Sequence, residues 1–231
     1  MDTNKLFMIV SQDTATKVAE HLLQIKAIKL QPHKPFVWAS GWKAPIYCDN
    51  RRTLSYPKIR NYLRDQFIKI IIEKYGKPDV ICGVATGGIA HGMMIADAMG
   101  IPFCYVRAEA KVHGLTNLIE GVVGAGQKVV IIEDLISTGK SSLKAVTSLR
   151  NAGCTVKGMV SIFTYNFKIA ADAFKSEKCP VFFLCDYETL MKEALKQEVI
   201  TKADIALLKS WREAPDKWGQ NGNAPVPVVK K

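Results

Sequence analysis

The segment from Val129 to Ser141 constrains the fold more strongly than any other part of this 231-residue chain. Its first four residues are β-branched and apolar, which predicts a strand buried in a sheet. Glu133 and Asp134 end that predicted strand, and a turn with hydroxyl groups and a glycine leads to a helix that opens near Ser141. In this arrangement the acids can accept hydrogen bonds from sugar hydroxyls, while the turn faces a phosphate near the helix N-terminus.

A P-loop and a plain strand-to-helix connection both fit this segment less well. Gly139, Lys140 and Ser141 match the end of a nucleotide-binding P-loop, but that motif requires a glycine at position 134, where this chain has Asp. A plain connection would leave two adjacent acids without a reason, because unpaired charges in a protein interior cost free energy. A sugar-phosphate site therefore accounts for the segment best.

The same residues resemble the phosphoribosyl-diphosphate signature of type I phosphoribosyltransferases: four apolar residues, two acids and a Thr/Ser-Gly-x-Ser/Thr turn. The resemblance implies that Glu133 and Asp134 bind the ribose hydroxyls, and that Asp134 stabilises positive charge at the anomeric carbon. It also implies Mg²⁺ as cofactor, held mainly by the substrate, so no direct protein ligand to the metal is predicted. The predicted phosphate-binding turn comprises Leu135, Ile136, Ser137, Thr138, Gly139, Lys140 and Ser141.

Strands and helices alternate along the core of the chain, an order that predicts an α/β fold with a doubly wound, mostly parallel sheet flanked by helices. Ligands of such sheets bind beyond the carboxyl ends of the strands, where Thr86, Gly87 and Arg107 are expected. Thr86 and Gly87 are thus predicted to bind diphosphate, although a glycine pair after a strand is also typical of a plain turn. Periodicity predicts helices at 16–30, 57–75 and 89–99 and strands at 80–85, 101–106, 129–132, 156–163 and 181–184.

The connection from 107 to 126 has no periodic pattern, and a loop of this length inside a compact domain is typical of an active-site lid. A solvated surface loop is the alternative. Its first residues resemble the catalytic loop of orotate phosphoribosyltransferases, Arg-Lys-x-x-Lys-x-His-Gly, with Ala108 as a departure. By that resemblance, Arg107, Lys111 and His113 bind diphosphate. The implied catalytic residues are Arg107, Lys111, His113 and Asp134.

Residues 38–51 resemble the hood motif of the same family, Ser-Gly-x-x-Ser-Pro-x-Tyr. Ala44 replaces the usual Ser, and Ala39 stands where some members have a substrate-binding Lys. Aromatic side chains and prolines are equally consistent with a structural core of the hood. The partner of the orotate carboxylate is therefore left open. The orotate-binding residues that the resemblance implies are Lys43, Tyr47 and Ser137.

The length of the chain suits one sizeable core, and no internal repeat or second domain is visible. We predict a single phosphoribosyltransferase domain at 1–215, with a hood at about 1–55 and a lid at 107–126. Residues 216–231 contain prolines, glycines and two terminal lysines, and they are predicted to form a flexible tail.

Composition limits the classes of partner. The formal net charge of +11 suits anionic partners, but no recognised nucleic-acid-binding motif accompanies it, so we expect steering of phosphate substrates and no nucleic acid. No apolar run approaches the roughly 20 residues that span a bilayer, so no membrane partner is expected. The N-terminus has no signal-peptide pattern and the six cysteines have no metal-type spacing, which predicts a soluble cytoplasmic protein with reduced thiols.

The resemblance implies a glycosyltransferase of the pentosyltransferase type. Such an enzyme transfers the phosphoribosyl group from 5-phosphoribosyl 1-diphosphate to orotate, giving orotidine 5′-monophosphate and diphosphate in pyrimidine (UMP) biosynthesis. It further implies a homodimer. Two alternatives remain open from the sequence: a purine phosphoribosyltransferase, and a regulator that senses phosphoribosyl diphosphate without turning it over.

Overall fold

The computed structural model describes residues 7–38, 40–109 and 118–219. Its centre is a seven-stranded sheet in which neighbouring strands are parallel, except for one antiparallel edge strand. The strands are β1 Phe7–Ile9, β2 Ile28–Leu30, β3 Phe36–Val37, β4 Lys43–Ala44, β5 Ile46–Cys48, β6 Val80–Val84, β7 Phe103–Val106, β8 Ile119–Glu120, β9 Lys128–Ile136, β10 Thr155–Thr164 and β11 Val181–Asp186. The sheet has the order β1-β11-β10-β9-β6-β7-β8.

Helices cover both faces of this sheet, which confirms the doubly wound α/β fold. On one face α1, α2, α3, α6 and α7 pack on alternate residues of the central strands, and on the other face α4 and α5 pack on the residues between them. The helices are α1 Gln12–Gln24, α2 Pro57–Tyr75, α3 Gly87–Met99, α4 Lys140–Asn151, α5 Lys168–Ser176, α6 Tyr187–Lys196 and α7 Lys202–Glu213. No helix in the described ranges is both long enough and apolar enough to cross a membrane.

The helix predicted at 57–75 is confirmed, because Pro57 fits the first turn and Gly76 ends the helix with a φ of +73°. The helix predicted at 16–30 was wrong in its bounds. Ser11 caps α1 by accepting a hydrogen bond from the backbone N–H of Thr14, so the helix begins four residues earlier. It ends at Gln24, and 28–30 instead form strand β2 against β5.

Strand β9 extends beyond its predicted end at Ile132 and runs to Ile136, so the two acids lie within the strand. Pairing with β10 continues along this extension, where Glu133 is opposite Ser161. Because successive side chains of a strand point to opposite faces, Glu133 and Asp134 point to different faces of the sheet. The two acids that were predicted to follow the strand thus lie within it, with one carboxylate on each face.

The hood consists of two small antiparallel pairs, β2 with β5 and β3 with β4, followed by a 3₁₀ helix at Asn50–Ser55. It is anchored on the main domain by Trp38, whose ring lies 5.3 Å from that of Tyr165 and 5.7 Å from that of Trp211. Trp218, three residues past the boundary predicted at 215, is also buried. Residues 220–231 lie outside the described residues.

The predicted lid is partly built into the sheet. Ile119 and Glu120 form β8, which pairs antiparallel with β7, and the backbone N–H of Arg107 donates to the Leu118 carbonyl at 2.9 Å. The sequence predicted no strand in this connection, because a strand of two residues leaves no periodic signal. Positions 110–117, with Lys111 and His113, are outside the part of the chain that the structure describes.

Candidate active site

Glu133 is a buried anchor between β9 and α4. Its carboxylate accepts hydrogen bonds from the hydroxyl of Ser142 and from the backbone N–H of Asp134, both at 3.0 Å. Burial raises the pKa of the Glu133 carboxyl well above its usual range, and the neighbouring Asp134 carboxylate adds to the effect. Glu133 therefore ties the strand to the start of the helix that follows the turn.

Asp134 lies on the opposite face, packed directly on the glycine pair at the start of α3. A Cβ atom at Gly87 would overlap the carboxylate of Asp134, and one at Gly88 would overlap the carbonyl oxygen of Ile132. Only glycine allows this approach, so the pair is more than a plain turn. Burial raises the pKa of Asp134, while a hydrogen bond with the Glu133 carboxyl and the nearby cation Arg51 act in the other direction.

These groups enclose a cavity of about 270 Å³, which we call the acid pocket. It brings the two acids together with the hood and with the loop after β6, as predicted from the strand ends. Its hydrogen-bond acceptors are carboxylates, and a sugar with adjacent hydroxyls can donate to them. The acid pocket is lined by Cys48, Asp49, Arg51, Ala85, Thr86, Gly87, Glu133, Asp134, Leu135 and Ser141.

A second cavity of about 440 Å³, the turn pocket, lies over the ends of β9, β6 and β7. Gly139 has a φ of +80°, which places the turn in the left-handed region immediately before α4 begins at Lys140. The helix N-terminus and several cations face one space, an arrangement that binds anions. The turn pocket is lined by Val84, Ala85, Val106, Arg107, Ala108, Leu135, Ser137, Thr138, Gly139, Lys140, Ser141 and Lys144.

Lys144 is a cation of the turn pocket that no sequence motif indicated. It lies one helical turn after Lys140, and its ammonium group donates to the carbonyl of Ala108 across the turn pocket. The family pattern has a lysine at the position of Ala108. Helix α4 thus supplies a positive charge, that of Lys144, next to the position where this lysine is missing. The residue was hidden in the sequence because a lysine on an amphipathic helix carries no signal of its own.

The structure places the remaining predicted residues in different surroundings. Ile136 is fully buried in the core and lines neither the acid pocket nor the turn pocket. Arg107 lines the turn pocket, with its Nη1 3.5 Å from Oε1 of Glu120. Lys43 and Tyr47 lie on the hood strands β4 and β5 and line neither of these two cavities, and the Tyr47 ring packs 5.6 Å from Phe36.

A buried hydrogen-bond network supports Asp134 from the hood side. The side-chain amide of Asn50 donates to the Asp134 carbonyl at 2.6 Å, and the Thr53 hydroxyl donates to the Asn50 carbonyl at 2.6 Å. Thr53 also contacts Nε2 of His91 at 3.3 Å. Burial lowers the pKa of His91 to about 4, so the ring is neutral near pH 7. The network links the hood and α3 to the backbone of Asp134 in β9.

Comparison with known proteins agrees with this geometry. A family model described as a phosphoribosyl transferase domain matches residues 59–194. The chain is 54% identical over 200 residues to a protein from Bacteroides thetaiotaomicron named orotate phosphoribosyltransferase, covering 87% of this chain and 94% of that one. A protein of the same name from Porphyromonas gingivalis is 50% identical over 202 residues, covering 87% and 96%.

Solved structures agree on the fold. Orotate phosphoribosyltransferase from Aeropyrum pernix is similar with a TM-score of 0.69 at 26% identity, covering 76% of this chain and 97% of that one. UMP synthase from Leishmania donovani has a TM-score of 0.72 at 28% identity, covering 87% of this chain and 42% of that longer one. An adenine phosphoribosyltransferase from Leishmania tarentolae has a TM-score of 0.60 at 21% identity, which is a likeness of fold alone.

The raised pKa of Glu133 predicts a pH-dependent cost to stability. A carboxyl with a raised native pKa binds more protons in the folded state than in the unfolded state, so the free energy of unfolding falls as pH rises from its ordinary pKa towards the raised one. Glu133→Gln removes this titration, and its stability relative to the wild type should increase between pH 4.5 and pH 7.5. Urea denaturation at both values measures it. The exposed Glu198→Gln is the matched control, and a pH-independent difference for Glu133→Gln would contradict the assignment.

The turn pocket predicts a role for Lys144 in anion binding. Lys144→Ala should weaken binding of inorganic diphosphate by about tenfold, because a charge-assisted hydrogen bond is worth roughly 1.5–3 kcal/mol. Isothermal titration calorimetry measures the change. Lys175→Ala, an exposed cation in the last turn of α5, should bind diphosphate as the wild type does. Equal affinity of the Lys144 variant and the wild type would remove Lys144 from the site.

Proposed function

Since this chain belongs to the orotate phosphoribosyltransferase family, we propose that it transfers the phosphoribosyl group from 5-phosphoribosyl 1-diphosphate to orotate. The products are orotidine 5′-monophosphate and diphosphate, a step of pyrimidine synthesis. The observation that carries the proposal is the packing of the Asp134 carboxylate on Gly87, between the acid pocket and the anion-binding turn. This is the arrangement that a ribose with phosphates at both ends requires.

The substrate is assigned to the two cavities by charge. The 5′-phosphate binds to the turn 137–141 at the N-terminus of α4, and the ribose hydroxyls donate to the carboxylates of the acid pocket. The diphosphate then lies towards the ends of β6 and β7, near Thr86, Gly87, Arg107 and Lys144. The anomeric carbon is left beside Asp134, between the leaving group and the hood.

Transfer at an anomeric carbon passes through an oxocarbenium-like state. The Asp134 carboxylate stabilises the positive charge on the sugar, and the cations near the diphosphate stabilise the charge that grows on the leaving group. From the family resemblance, we assign Lys111 and His113 of the lid to the same leaving group, with His113 donating a hydrogen bond or a proton. Closure of the lid excludes water and suppresses hydrolysis of the sugar diphosphate.

Mg²⁺ is proposed as the cofactor. Its preferred ligands are oxygens, often one or two carboxylates together with substrate phosphates, and the acid pocket offers carboxylate oxygens next to the diphosphate position. Within the described ranges no three His, Cys, Asp or Glu side chains form a cluster that could hold a metal ion. The carboxylates of the acid pocket fit an ion held chiefly by the diphosphate, as the family resemblance implies, and such an ion would neutralise part of the leaving group's charge.

The reaction is tested by following the loss of orotate absorbance after addition of phosphoribosyl diphosphate and Mg²⁺. Adenine, guanine, hypoxanthine and uracil are assayed in parallel for release of diphosphate. We expect turnover with orotate alone. Turnover with a purine instead would assign the chain to a different substrate, and binding of phosphoribosyl diphosphate without turnover of any base would favour a regulator.

We further propose that the active unit is a homodimer in which the lid of one subunit completes the site of the other, as the family resemblance implies. Lys111→Ala alone should slow turnover by about 10²–10³, the usual effect of losing one preorganised charge-stabilising group. Mixing Lys111→Ala with Asp134→Ala subunits should restore activity, since one site of each mixed dimer then has both residues.

Subunit exchange is verified by mass spectrometry of the intact mixed dimer. Each variant mixed with itself is the control and should stay as slow as before. A near-normal rate for Lys111→Ala would exclude it from the mechanism. Verified mixed dimers without recovered activity would indicate that each subunit has a self-contained site.

A further inference from the structure

A third cavity of about 550 Å³, which we call the α7 pocket, lies between the hood and the C-terminal helix. It borders the phosphate-binding turn at Thr138, so it adjoins the proposed active site, yet the reaction as described makes no use of it. Its walls come from the β3–β4 hairpin, the connection after β10, the start of α5 and helix α7. The α7 pocket is lined by Trp42, Thr138, Asn166, Phe167, Lys168, Ile169, Lys209, Arg212, Glu213, Pro215 and Asp216.

Strand order places the α7 pocket on the side of β9 that is opposite the position assigned to the diphosphate. Displacement at an anomeric carbon with inversion brings the nucleophile to the face opposite the leaving group. The diphosphate is assigned to the ends of β6 and β7, on one side of β9. The other side of β9 is occupied by β10, and the α7 pocket lies beyond the end of β10.

The α7 pocket has an aromatic wall that suits a planar base. The ring of Trp42 stacks on Trp38 with 6.5 Å between centroids and 19° between planes. Trp38 is in turn held by the buried ring of Trp211 on α7. The hood and the last helix are thus joined through one aromatic cluster, and a ring that lies against Trp42 also lies near α7.

Two cations of α7 supply positive charge to this space. Arg212 is fixed in place: its guanidinium donates to the carbonyls of Tyr165 and Asn166 at 3.1 and 3.2 Å, and it pairs with Glu188 at 3.2 Å. Lys209 lies one turn earlier on the same side of the helix, and its ammonium group has no ion-pair partner among the described residues. Lys209 is therefore available to a ligand anion.

The other charged residues of the α7 pocket limit where in the pocket such an anion can bind. Lys168 forms an exposed ion pair with Asp172, as Arg212 does with Glu188, so of these cations Lys209 alone has no acidic partner among the described residues. Glu213 and Asp216 also line the pocket and would repel a carboxylate that lay against them. A carboxylate is accordingly favoured on the wall formed by Lys209 and Arg212.

We propose that the α7 pocket receives the base and that Lys209 binds the carboxylate of orotate, with Arg212 as a positioning residue that also contributes charge. The proposal rests on the proposed function and extends it to the feature that separates orotate from uracil and the purines. It assigns substrate selection to the C-terminal helix, whereas the sequence motifs pointed only to the hood and Ser137.

The test compares steady-state kinetics of Lys209→Ala and Arg212→Lys with those of the wild-type enzyme. Loss of a charged hydrogen bond should raise KM for orotate by about 10- to 100-fold in Lys209→Ala, with KM for phosphoribosyl diphosphate unchanged. Arg212→Lys keeps the charge but not the fixed fork of donors, so its KM for orotate should rise by less. Lys202→Ala, an exposed cation at the start of α7, is the matched control and should behave as the wild type.

Inhibition by uracil, which has the ring without the carboxylate, provides the second measurement. Its inhibition constant should be the same in Lys209→Ala and the wild type if Lys209 recognises the carboxylate. An unchanged KM for orotate in Lys209→Ala would overturn the proposal, as would an equal loss of affinity for orotate and uracil. Absence of orotate turnover by the wild-type protein would instead contradict the proposed function, so the two failures are distinguishable.

Discussion

The close packing of the Asp134 carboxylate on Gly87 is the contact on which the rest of the site depends. It brings the end of β9 against the start of α3, and any side chain at position 87 would occupy the space of the carboxylate. The hood completes the arrangement, since Asn50 donates to the backbone of the same aspartate.

Two adjacent acids would repel each other in one small space, and the structure separates their tasks. Glu133 faces α4 and is satisfied by Ser142 and a backbone amide, whereas Asp134 faces the cavity beside α3. The alternation of side chains along a strand produces this division without any extra residue. Glu133 holds the helix that carries the phosphate site, and both carboxylates line the acid pocket, with Asp134 packed beside the start of α3.

The sequence predicted the parallel sheet, helix α2 and the converging strand ends, because long apolar patterns and a complete motif carry strong signals. It missed β1 and β8, which have three and two residues and therefore no measurable period. It also missed the link between Asn50 and Asp134, which are 84 residues apart, and the cations Lys144 and Lys209, which look like ordinary surface lysines of helices. Such contacts are set by tertiary packing, and no local pattern encodes them.

The contacts among the rings of Trp38, Tyr165 and Trp211 have a consequence for the folding of this protein during its translation. The rings come from the hood, the end of β10 and α7, so they belong to early, middle and late parts of the chain. During translation the residues of the acid and turn pockets emerge well before α7 does. A nascent chain that lacks its last helix would thus already contain the residues of the sugar-phosphate site but no finished place for the base. Under our assignment, the ability to choose a substrate is the last property that the growing polypeptide acquires.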